Sequence, residues 1–355
     1  MAVVWTRPRF LRSQIDAAGG VLRELGHGEL DSADGVTRVA QAYDVLDNWR
    51  ASHAFPLNTM QMVLRGRARD VDSHALVAQR LKRSFSVIRK LHKQKSMRLS
   101  QMQDIGGCRA VVNGLRALRS LHTAYSRGSS ASTLVGRKDY IQTPSSSGYR
   151  SIHLIYEYHT KRGKHLTAFD GLQIEIQLRS QLQHAWATAV ETVGAVTGHA
   201  LKVSEGPREW LNALTNISSL FAYVEGTPPA AGAPDRKSLA RLVSSEVTRL
   251  RIRERLKSFG LAVRTLAGQR RKEHRYFLLV LDATAESLSV VGYREAEFEV
   301  ASSQYRASED IARLTPGMDV VLVRAESIEA IERAYPNYFL DSQFFISQLN
   351  QAINT

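Results

Sequence analysis

The segment from Leu172 to Arg179 constrains the fold most strongly, because its apolar and polar residues alternate without a break. Strict alternation predicts a β-strand with one buried face, since successive side chains of a strand point to opposite sides. The apolar face would carry Leu172, Ile174, Ile176 and Leu178, and the polar face Gln173, Glu175, Gln177 and Arg179. A helix is predicted directly after this strand, from Gln181 to about Val196.

Helices and further strands are predicted earlier in the chain. The spacing of apolar residues predicts helices over 34–50, with Asp34 as N-cap, and over 74–95, which contains no Gly or Pro. Two more strands are predicted at Cys108–Val112 and Ser151–Thr160. This mixture assigns the chain to the α/β (α+β) class.

The stretch GTPPAAGAPD at 226–235 is the best linker in the chain, because it holds three prolines and no large apolar residue. Apolar residues spaced from Leu239 to Leu256 predict a basic amphipathic helix that ends near Gly260 and could pack on the protein or lie along RNA. Strands in YFLLVLD, SLSVVGY and DVVLVRA, with helices in SIEAIERAY and FLDSQFFISQLNQAI, predict a small α+β domain. The predicted organisation is an N-terminal helical region at 1–60, a central domain at 61–200, a helical connector at 201–271 and an acidic α+β domain at 272–355.

Composition excludes several classes of protein. The 355 residues are 43% hydrophobic and include one cysteine, Cys108, so a disordered chain, a disulfide scaffold and a zinc ribbon are excluded. The sequence has no apolar run long enough to span a membrane, and its N-terminus lacks the hydrophobic region of a signal peptide. We therefore expect a cytoplasmic protein with no membrane partner. Residues 1–271 carry a net charge of +20 and residues 272–355 of −6. The basic part favours phosphate-rich partners.

Residues 80–98 contain eight Lys and Arg residues and no acidic residue. On a helix, Lys82, Ser86 and Lys90 share one face. Arg80 lies one turn below them, and such a stripe matches a polyphosphate. A solvated helix face is the alternative, but the lack of acidic partners favours a ligand.

Two carboxylates indicate a metal site. Asp104 stands at the entry to a predicted strand, and Glu175 lies on the polar face of another. Magnesium takes one or two protein carboxylates and leaves its other positions for water and phosphate oxygens, so this pair matches Mg²⁺. If the strands around His153 and Glu175 pair, His153 lies near Glu175 and Gln177. A turn-forming Asp104 and a water-facing Glu175 are the alternatives.

The loop SSSGYRS at 145–151 suits a flexible edge where a nucleobase stacks on Tyr149, although Tyr149 could instead pack in the interior. The sequence has no GxxxxGK[ST] phosphate loop, no HExxH zinc motif, no GxSxG elbow and no HD dipeptide. Their absence argues against the corresponding P-loop, zinc-protease and serine-hydrolase classes and so narrows the field of functions.

Six segments, taken in order, resemble the synthetase domain of the RelA/SpoT family of alarmone synthetases. They are RLKRSFSVIRK at 80–90, DIGGCR at 104–109, RKDYI at 137–141, GYRSIH at 148–153, IEIQLR at 174–179 and QHAWA at 183–187. The resemblance covers residues 50–200 and identifies the predicted domain at 61–200 as RelA/SpoT-like. It implies a nucleotidyltransferase-like mixed β-sheet flanked by helices.

The resemblance also implies a reaction, in which the β,γ-pyrophosphate of ATP is transferred to the 3′-hydroxyl of GDP or GTP to make the stringent-response alarmone (p)ppGpp. Mg²⁺ would be held by Asp104 and Glu175, and Glu175 would help to deprotonate the attacking hydroxyl. Arg109 would support the site. The ATP phosphates would be held by Arg80, Lys82, Ser86 and Lys90. The acceptor site, with a base stacked on the tyrosine, would be lined by Lys138, Tyr149, His153 and Gln177.

Two departures from the family pattern leave the acceptor open. The loop 143–147 reads TPSSS, whereas many members carry a lysine after the proline, so one contact to acceptor phosphates is missing. The absence of an HD dyad implies no companion hydrolase domain, and the chain resembles a small, synthesis-only member. Some toxic members of similar size modify the 3′-CCA end of tRNA, which stays open as an acceptor. A catalytically silent RNA-binding module is the alternative of another class.

No motif explains the acidic domain at 272–355. We expect it either to cover the basic substrate entrance, as an inhibitory or sensing domain, or to stabilise or dimerise the protein. Since the Debye length is about 8 Å at physiological salt, an inhibitory role requires direct contact with the basic body. A homo-oligomer and a regulatory protein partner both stay open.

Overall fold

A five-stranded mixed β-sheet forms the centre of the structure, which is a computed structural model. Its strands are β1 (Leu76–Leu81), β2 (Gly106–Val112), β3 (Thr133–Asp139), β4 (Ile152–Glu157) and β5 (Gln173–Ser180). Their order is β1-β2-β5-β4-β3, in which β2 and β5 run parallel and the other neighbours antiparallel. The structure describes residues 5–25, 32–127, 132–160, 163–197, 206–250, 252–253, 256, 274–282, 287–315, 318–324 and 342–355.

Helices flank this sheet. They are α1 (Arg12–Arg23), α2 (Ala33–Ser52), α3 (Ala54–Val71), α4 (Ser84–Lys93), α5 (Gly114–Arg127), α6 (Gln181–Thr197), α7 (Arg208–Glu225), α8 (Arg236–Arg249), α9 (Phe298–Leu314) and α10 (Ser342–Asn354). A three-stranded antiparallel sheet in the order β7-β6-β8 is formed by β6 (Tyr276–Asp282), β7 (Ser287–Tyr293) and β8 (Met318–Arg324). The predicted fold class, a mixed sheet flanked by helices, is confirmed.

The alternation in β5 produces a sheet with two different faces. Ile174, Ile176 and Leu178 are buried against α3 and α5. Leu172 precedes the strand and packs in a separate cluster with α1, α2 and α4. The polar residues of β5 point away from the α3 and α5 side, because side chains of a strand alternate. Polar side chains of neighbouring strands can therefore meet there.

The single helix predicted over 74–95 is wrong. The chain first forms β1, which pairs antiparallel with β2, and only then begins α4. The pairing continues past the strand, where the N–H of Lys82 donates to the carbonyl of Ile105 at 2.7 Å. Hydrogen bonds to a neighbouring strand outweigh the local helical pattern. Ser86 and Lys90 keep their shared face on α4, but Lys82 lies before the helix.

Two further details differ from the sequence predictions. The N-cap of α2 is Ser32, whose hydroxyl accepts the N–H of Gly35 at 3.0 Å, so Asp34 lies in the first turn instead. Helix α9 was not predicted, although its 17 residues form a complete helix.

The predicted linker at 226–235 connects α7 to α8, and these two helices pack on each other. Leu239, Val243 and Val247 of α8 are fully buried in a cluster with α6 and α7. The described part of the basic helix predicted to end near Gly260 therefore packs on the protein.

The residues predicted as one acidic domain at 272–355 belong to two hydrophobic clusters. Phe345, Ile346 and Leu349 of α10 pack with α6, α7 and α8, whereas β6, β7, β8 and α9 share a cluster of their own. Strand β8 also lies against β1 of the central sheet. The helix predicted in SIEAIERAY lies outside the described residues. Within the described ranges, no helix has the length and apolar character needed to cross a bilayer.

Candidate active site

Strands β4 and β5 bring three polar side chains together on one face of the sheet. His153 lies opposite Gln177 in the register, and Glu175 stands two residues before Gln177. Nδ1 of His153 and Oε1 of Glu175 are 2.8 Å apart, and Nε2 of Gln177 donates to Oε2 of Glu175 at 2.6 Å. The cluster predicted from strand pairing therefore forms.

Burial and charge act against each other in the Glu175–His153 pair. Burial by itself would raise the pKa of Glu175, but the hydrogen bond and the positive charge of His153 outweigh it and lower that pKa. Burial would likewise lower the pKa of His153, but Tyr149 and Glu175 outweigh it and raise that pKa. Glu175 is therefore ionised at neutral pH and can accept a hydrogen bond from a hydroxyl.

Tyr149 is tied into the same cluster through its hydroxyl group. Its oxygen lies 2.7 Å from Nε2 of His153 and accepts a hydrogen bond from Nη2 of Arg179 at 2.7 Å. The guanidinium of Arg179 also lies over the tyrosine ring, 5.1 Å from its centre. Sequence reasoning placed Arg179 on the polar face of β5 but gave it no role in the site. Its place in the alternation, next to Glu175 and Gln177, was the available signal.

Asp104 is held between two lysines. Its Oδ2 lies 2.6 Å from Nζ of Lys82, and its Oδ1 lies 2.9 Å from Nζ of Lys90. Burial alone would raise the pKa of Asp104, but the two ammonium groups outweigh it and hold that pKa well below its usual range. Burial lowers the pKa of Lys82 despite the carboxylate beside it. Lys90 of α4, Lys82 just before α4 and Asp104 just before β2 thus meet at one point.

The remaining predicted residues lie on the same elements. Arg80 stands opposite Gly107, which is in register with Glu175, so these positions share a face of the sheet. Ser86 lies one turn from Lys90 on α4. Lys138 lies on the edge strand β3, where it is exposed and stands opposite His153. Arg109 lies on the inner strand β2, and its Nη1 is 3.4 Å from Nδ1 of His184.

The two carboxylates, Asp104 and Glu175, suit a magnesium ion in the kind and number of their oxygen ligands. The negative charge of Asp104 acts to raise the pKa of Glu175, so the two carboxylates lie near enough to interact. No group of three or more His, Cys, Asp or Glu residues is assembled among the described residues. One or two carboxylates are what Mg²⁺ requires, whereas zinc sites take more protein ligands. Binding would require the lysines to release oxygens of Asp104.

A cleft of about 220 Å³ opens beside Tyr149. It runs between the loop before β4 and the helices α6 and α7. Its wall is mainly apolar and aromatic, with hydroxyl and amide groups from the loop and from α7. The lining residues are Ser146, Ser147, Tyr149, Trp186, Ala187, Val190, Leu211, Asn212, Leu214 and Thr215.

About half of the chain aligns with solved structures of two proteins. The small alarmone synthetase 1 of Bacillus subtilis bound to its product pppGpp aligns with a TM-score of 0.43 and 20% identity, covering 49% of this chain and 89% of that one. The small alarmone synthetase 2 of Bacillus subtilis aligns with a TM-score of 0.43 and 21% identity, covering 51% of this chain and 94% of that one.

Sequence comparison finds relatives for part of the chain. The GTP pyrophosphokinases rsh of Brucella melitensis biotype 1 and Brucella ovis are 40% identical to it over 84 residues, which are 22% of this chain. The match spans a tenth of the length of those proteins. Residues 79–193 match the family described as the region found in RelA/SpoT proteins. The resemblance noted from the motifs is confirmed over residues 79–193, which match the RelA/SpoT region and contain all the predicted site residues.

Proposed function

We propose that the protein is a pyrophosphokinase that transfers the β,γ-pyrophosphate of ATP to the 3′-hydroxyl of GDP or GTP. The observation that carries this proposal is that Asp104, held between Lys82 and Lys90, lies near enough to Glu175 for its charge to act on the pKa of that carboxylate. Glu175 is itself paired with His153. Positive groups for a polyphosphate and a buried base for a hydroxyl then share one site. The match to the RelA/SpoT region supports the same reaction.

In this reaction the 3′-oxygen of the acceptor attacks the β-phosphorus of ATP. A bond forms between that oxygen and the β-phosphorus, the bond from the β-phosphorus to the oxygen shared with the α-phosphate breaks, and AMP leaves. The hydroxyl proton passes to Glu175, whose carboxylate is ionised and already oriented by His153. Tyr149 fixes the other ring nitrogen of His153 and so keeps the imidazole in place.

The ATP side is formed by Arg80, Lys82, Ser86 and Lys90. Phosphoryl transfer depends on alignment of donor and acceptor and on neutralisation of the charge on the phosphates. The lysines supply positive charge once they exchange the Asp104 carboxylate for phosphate oxygens. Mg²⁺, held by Asp104 and Glu175, would supply further positive charge at the phosphates.

The acceptor side is formed by Lys138, Tyr149, His153 and Gln177 and by the cleft next to the tyrosine. An apolar cleft with an aromatic wall and a few polar groups suits a nucleobase, because every base has an apolar face and polar edges. Lys138 lies opposite His153 at the edge of the site and is exposed, so it can reach an acceptor phosphate.

The 3′ end of tRNA is the second candidate acceptor. Ser146 and Ser147 line the cleft with hydroxyl groups, at a point of the loop where no lysine is present for a nucleotide's own phosphates. An acceptor whose phosphates continue along an RNA chain would instead use the net charge of +20 on residues 1–271.

One labelling experiment separates these acceptors. The full-length protein is incubated with Mg²⁺, γ-labelled ATP and, in separate reactions, GDP, GTP or bulk tRNA. We expect label in a guanosine tetra- or pentaphosphate, with AMP formed in equal amount. The matched control uses α-labelled ATP, whose label should stay in AMP.

Label found only in tRNA would move the acceptor to the tRNA end. RNA binding that weakens with salt, without transfer to any acceptor, would make the protein a silent RNA-binding module.

A further inference from the structure

Helix α7 forms one wall of the cleft beside Tyr149, although it lies beyond the residues that match the RelA/SpoT region. The hydroxyl of Ser218 on α7 donates to the carbonyl of Gly148, and Nε of Arg150 donates to the same hydroxyl oxygen at 3.2 Å. Gly148 has a φ of +82°, and a Cβ there would lie 2.9 Å from Cβ of Ser218. The loop that carries Tyr149 is therefore packed directly onto α7.

Further hydrogen bonds fix the position of α7. Arg150 is 3% exposed, and its guanidinium donates to the carbonyl of Pro228, just after α7, at 2.7 Å and to that of Ile141 at 3.4 Å. On the α6 side, the indole N–H of Trp186 donates to the carbonyl of Leu214 at 2.8 Å. The walls of the cleft are thus held in place before an acceptor binds, which lowers the ordering cost of binding.

Two polar side chains of α7 border the cleft with their hydrogen-bonding groups unused. Asn212 and Thr215 lie three positions apart, so they share one side of the helix. Neither side chain has a hydrogen-bond partner among the residues that the structure describes. The next amide on the helix, Asn216, instead donates to the carboxylate of Glu246 at 3.1 and 3.2 Å. The polar groups at the cleft are therefore available to a ligand.

The size and lining of the cleft match a nucleobase. Its volume of about 220 Å³ is smaller than that of pockets for drug-sized ligands, which measure roughly 300–1,000 Å³. Tyr149 and Trp186 offer aromatic surface for the flat face of a base. The amide of Asn212 carries an acceptor and a donor side by side. Guanine presents the complementary pair on its Watson–Crick edge, where N1–H donates and O6 accepts.

The cleft is also connected to the proposed reaction centre. The ring of Tyr149 lines the cleft, while its hydroxyl oxygen lies 2.7 Å from Nε2 of His153, the partner of Glu175. A base in the cleft therefore lies two side chains away from the group proposed to take the hydroxyl proton. Since the loop 143–147 has no lysine for the acceptor phosphates, contacts to the base carry more of the acceptor affinity.

We propose that α7 completes the acceptor site and that Asn212 is a specificity-determining residue. Its amide oxygen accepts a hydrogen bond from N1–H of guanine, and its NH₂ group donates to O6. This inference rests on the proposed function for the identity of the acceptor as a guanine nucleotide.

The test compares N212A and N212D with the control N216A. N212A removes the amide. N212D keeps its shape but offers two acceptors, which match N1–H and the 2-amino group of guanine. The control removes an amide of the same helix that is bonded to Glu246. Binding of GDP and of inosine diphosphate (IDP), which lacks only the 2-amino group, is measured by calorimetry on the full-length proteins. Transfer from ATP to both acceptors is measured in parallel.

We expect N212A to bind GDP and IDP about 10-fold more weakly than wild type, with an unchanged KM for ATP. N212D should prefer GDP over IDP about 10-fold more than wild type does, because IDP offers its carboxylate one donor instead of two. N216A should keep the wild-type affinities. A loss of folding stability alone does not change the ratio of the two affinities.

A folded N212A that binds GDP within about twofold of wild type, or an unchanged ratio in N212D, would overturn the inference. Transfer to GDP by these variants would then leave the proposed function standing. The expected affinities without transfer to any acceptor would support the role of Asn212 and overturn the proposed function. No binding of GDP by the wild-type protein would overturn both.

Discussion

Replacing Glu175 by Gln tests the base and metal-ligand roles with little change of shape. The carboxylate accepts hydrogen bonds on both oxygens, from His153 at 2.8 Å and from Gln177 at 2.6 Å. In E175Q one oxygen remains and the other becomes an NH₂ donor. Nδ1 of His153 can accept from that donor once its proton has moved to Nε2, so the polar network can still be completed.

The stability cost follows from these contacts. Hydrogen bonds to a charged group contribute about 1.5–3 kcal/mol each, and E175Q weakens such bonds without leaving a group unpaired. We expect a loss of about 1–3 kcal/mol, which lowers Tm by a few degrees. Removal of a general base costs about 10²–10⁴-fold in rate, or roughly 3–5 kcal/mol in activation free energy. The rate should therefore fall by more than 100-fold in a folded protein.

The assay is single-turnover transfer of label from γ-labelled ATP, with thermal unfolding measured on the same samples. The control is E157Q, because Glu157 also pairs with a histidine, His159 at 3.2 Å, but outside the site. That variant should retain the wild-type rate. A rate for E175Q within about threefold of wild type at saturating Mg²⁺ would refute both roles of Glu175.

Three further substitutions have expected outcomes. Tyr149→Ala should weaken use of the acceptor by about 1–3 kcal/mol if a base stacks on the ring, seen as a higher acceptor KM; an unchanged KM would indicate that the ring only packs. Phe345→Ala should lower the free energy of unfolding, measured by urea titration, by about 3–5 kcal/mol, because the side chain is 1% exposed and packs among α6, α7 and α8. A loss below about 1 kcal/mol would contradict that packing. Gly106→Ala should lower the free energy of unfolding by about 1–3 kcal/mol, because the added Cβ would lie 2.7 Å from Cδ1 of Ile174. The control Gly66→Ala lies in open space on α3 and should raise it by up to about 1 kcal/mol. Equal Tm values for the two variants would contradict the close contact at Gly106.

Patterns that depend on near neighbours in sequence predicted β5, its polar face and the strands of the C-terminal sheet. The same reasoning failed at 74–95, where an apolar spacing compatible with a helix is divided between β1 and α4. A local pattern does not include the partner strand, and it was pairing with β2 that decided the conformation of β1.

The candidate site shows a similar division. That His153 approaches Glu175 could be predicted, because two alternating strands need only pair for this contact to form. The role of Arg179 was missed although it stands on the same face, since alternation does not show which polar residue reaches Tyr149. Arg50 carries no sequence signal, because it lies on a helix far from the motifs and acts through contacts with Lys82 and Glu309.

The sequence by itself determined a strand over 172–179 with Glu175 on its polar face, because a period of two depends only on adjacent residues. The observed strand, Gln173–Ser180, differs from it by one residue at each end. It also determined, through ordered motifs, which residues to consider for ATP and acceptor. Only the tertiary structure decided that Lys90 pairs with Asp104, 14 positions away, and that Glu309 caps Ser84, 225 positions away. The physical reason is that burial and hydrogen bonding select partners by distance in space, and no local pattern specifies that distance.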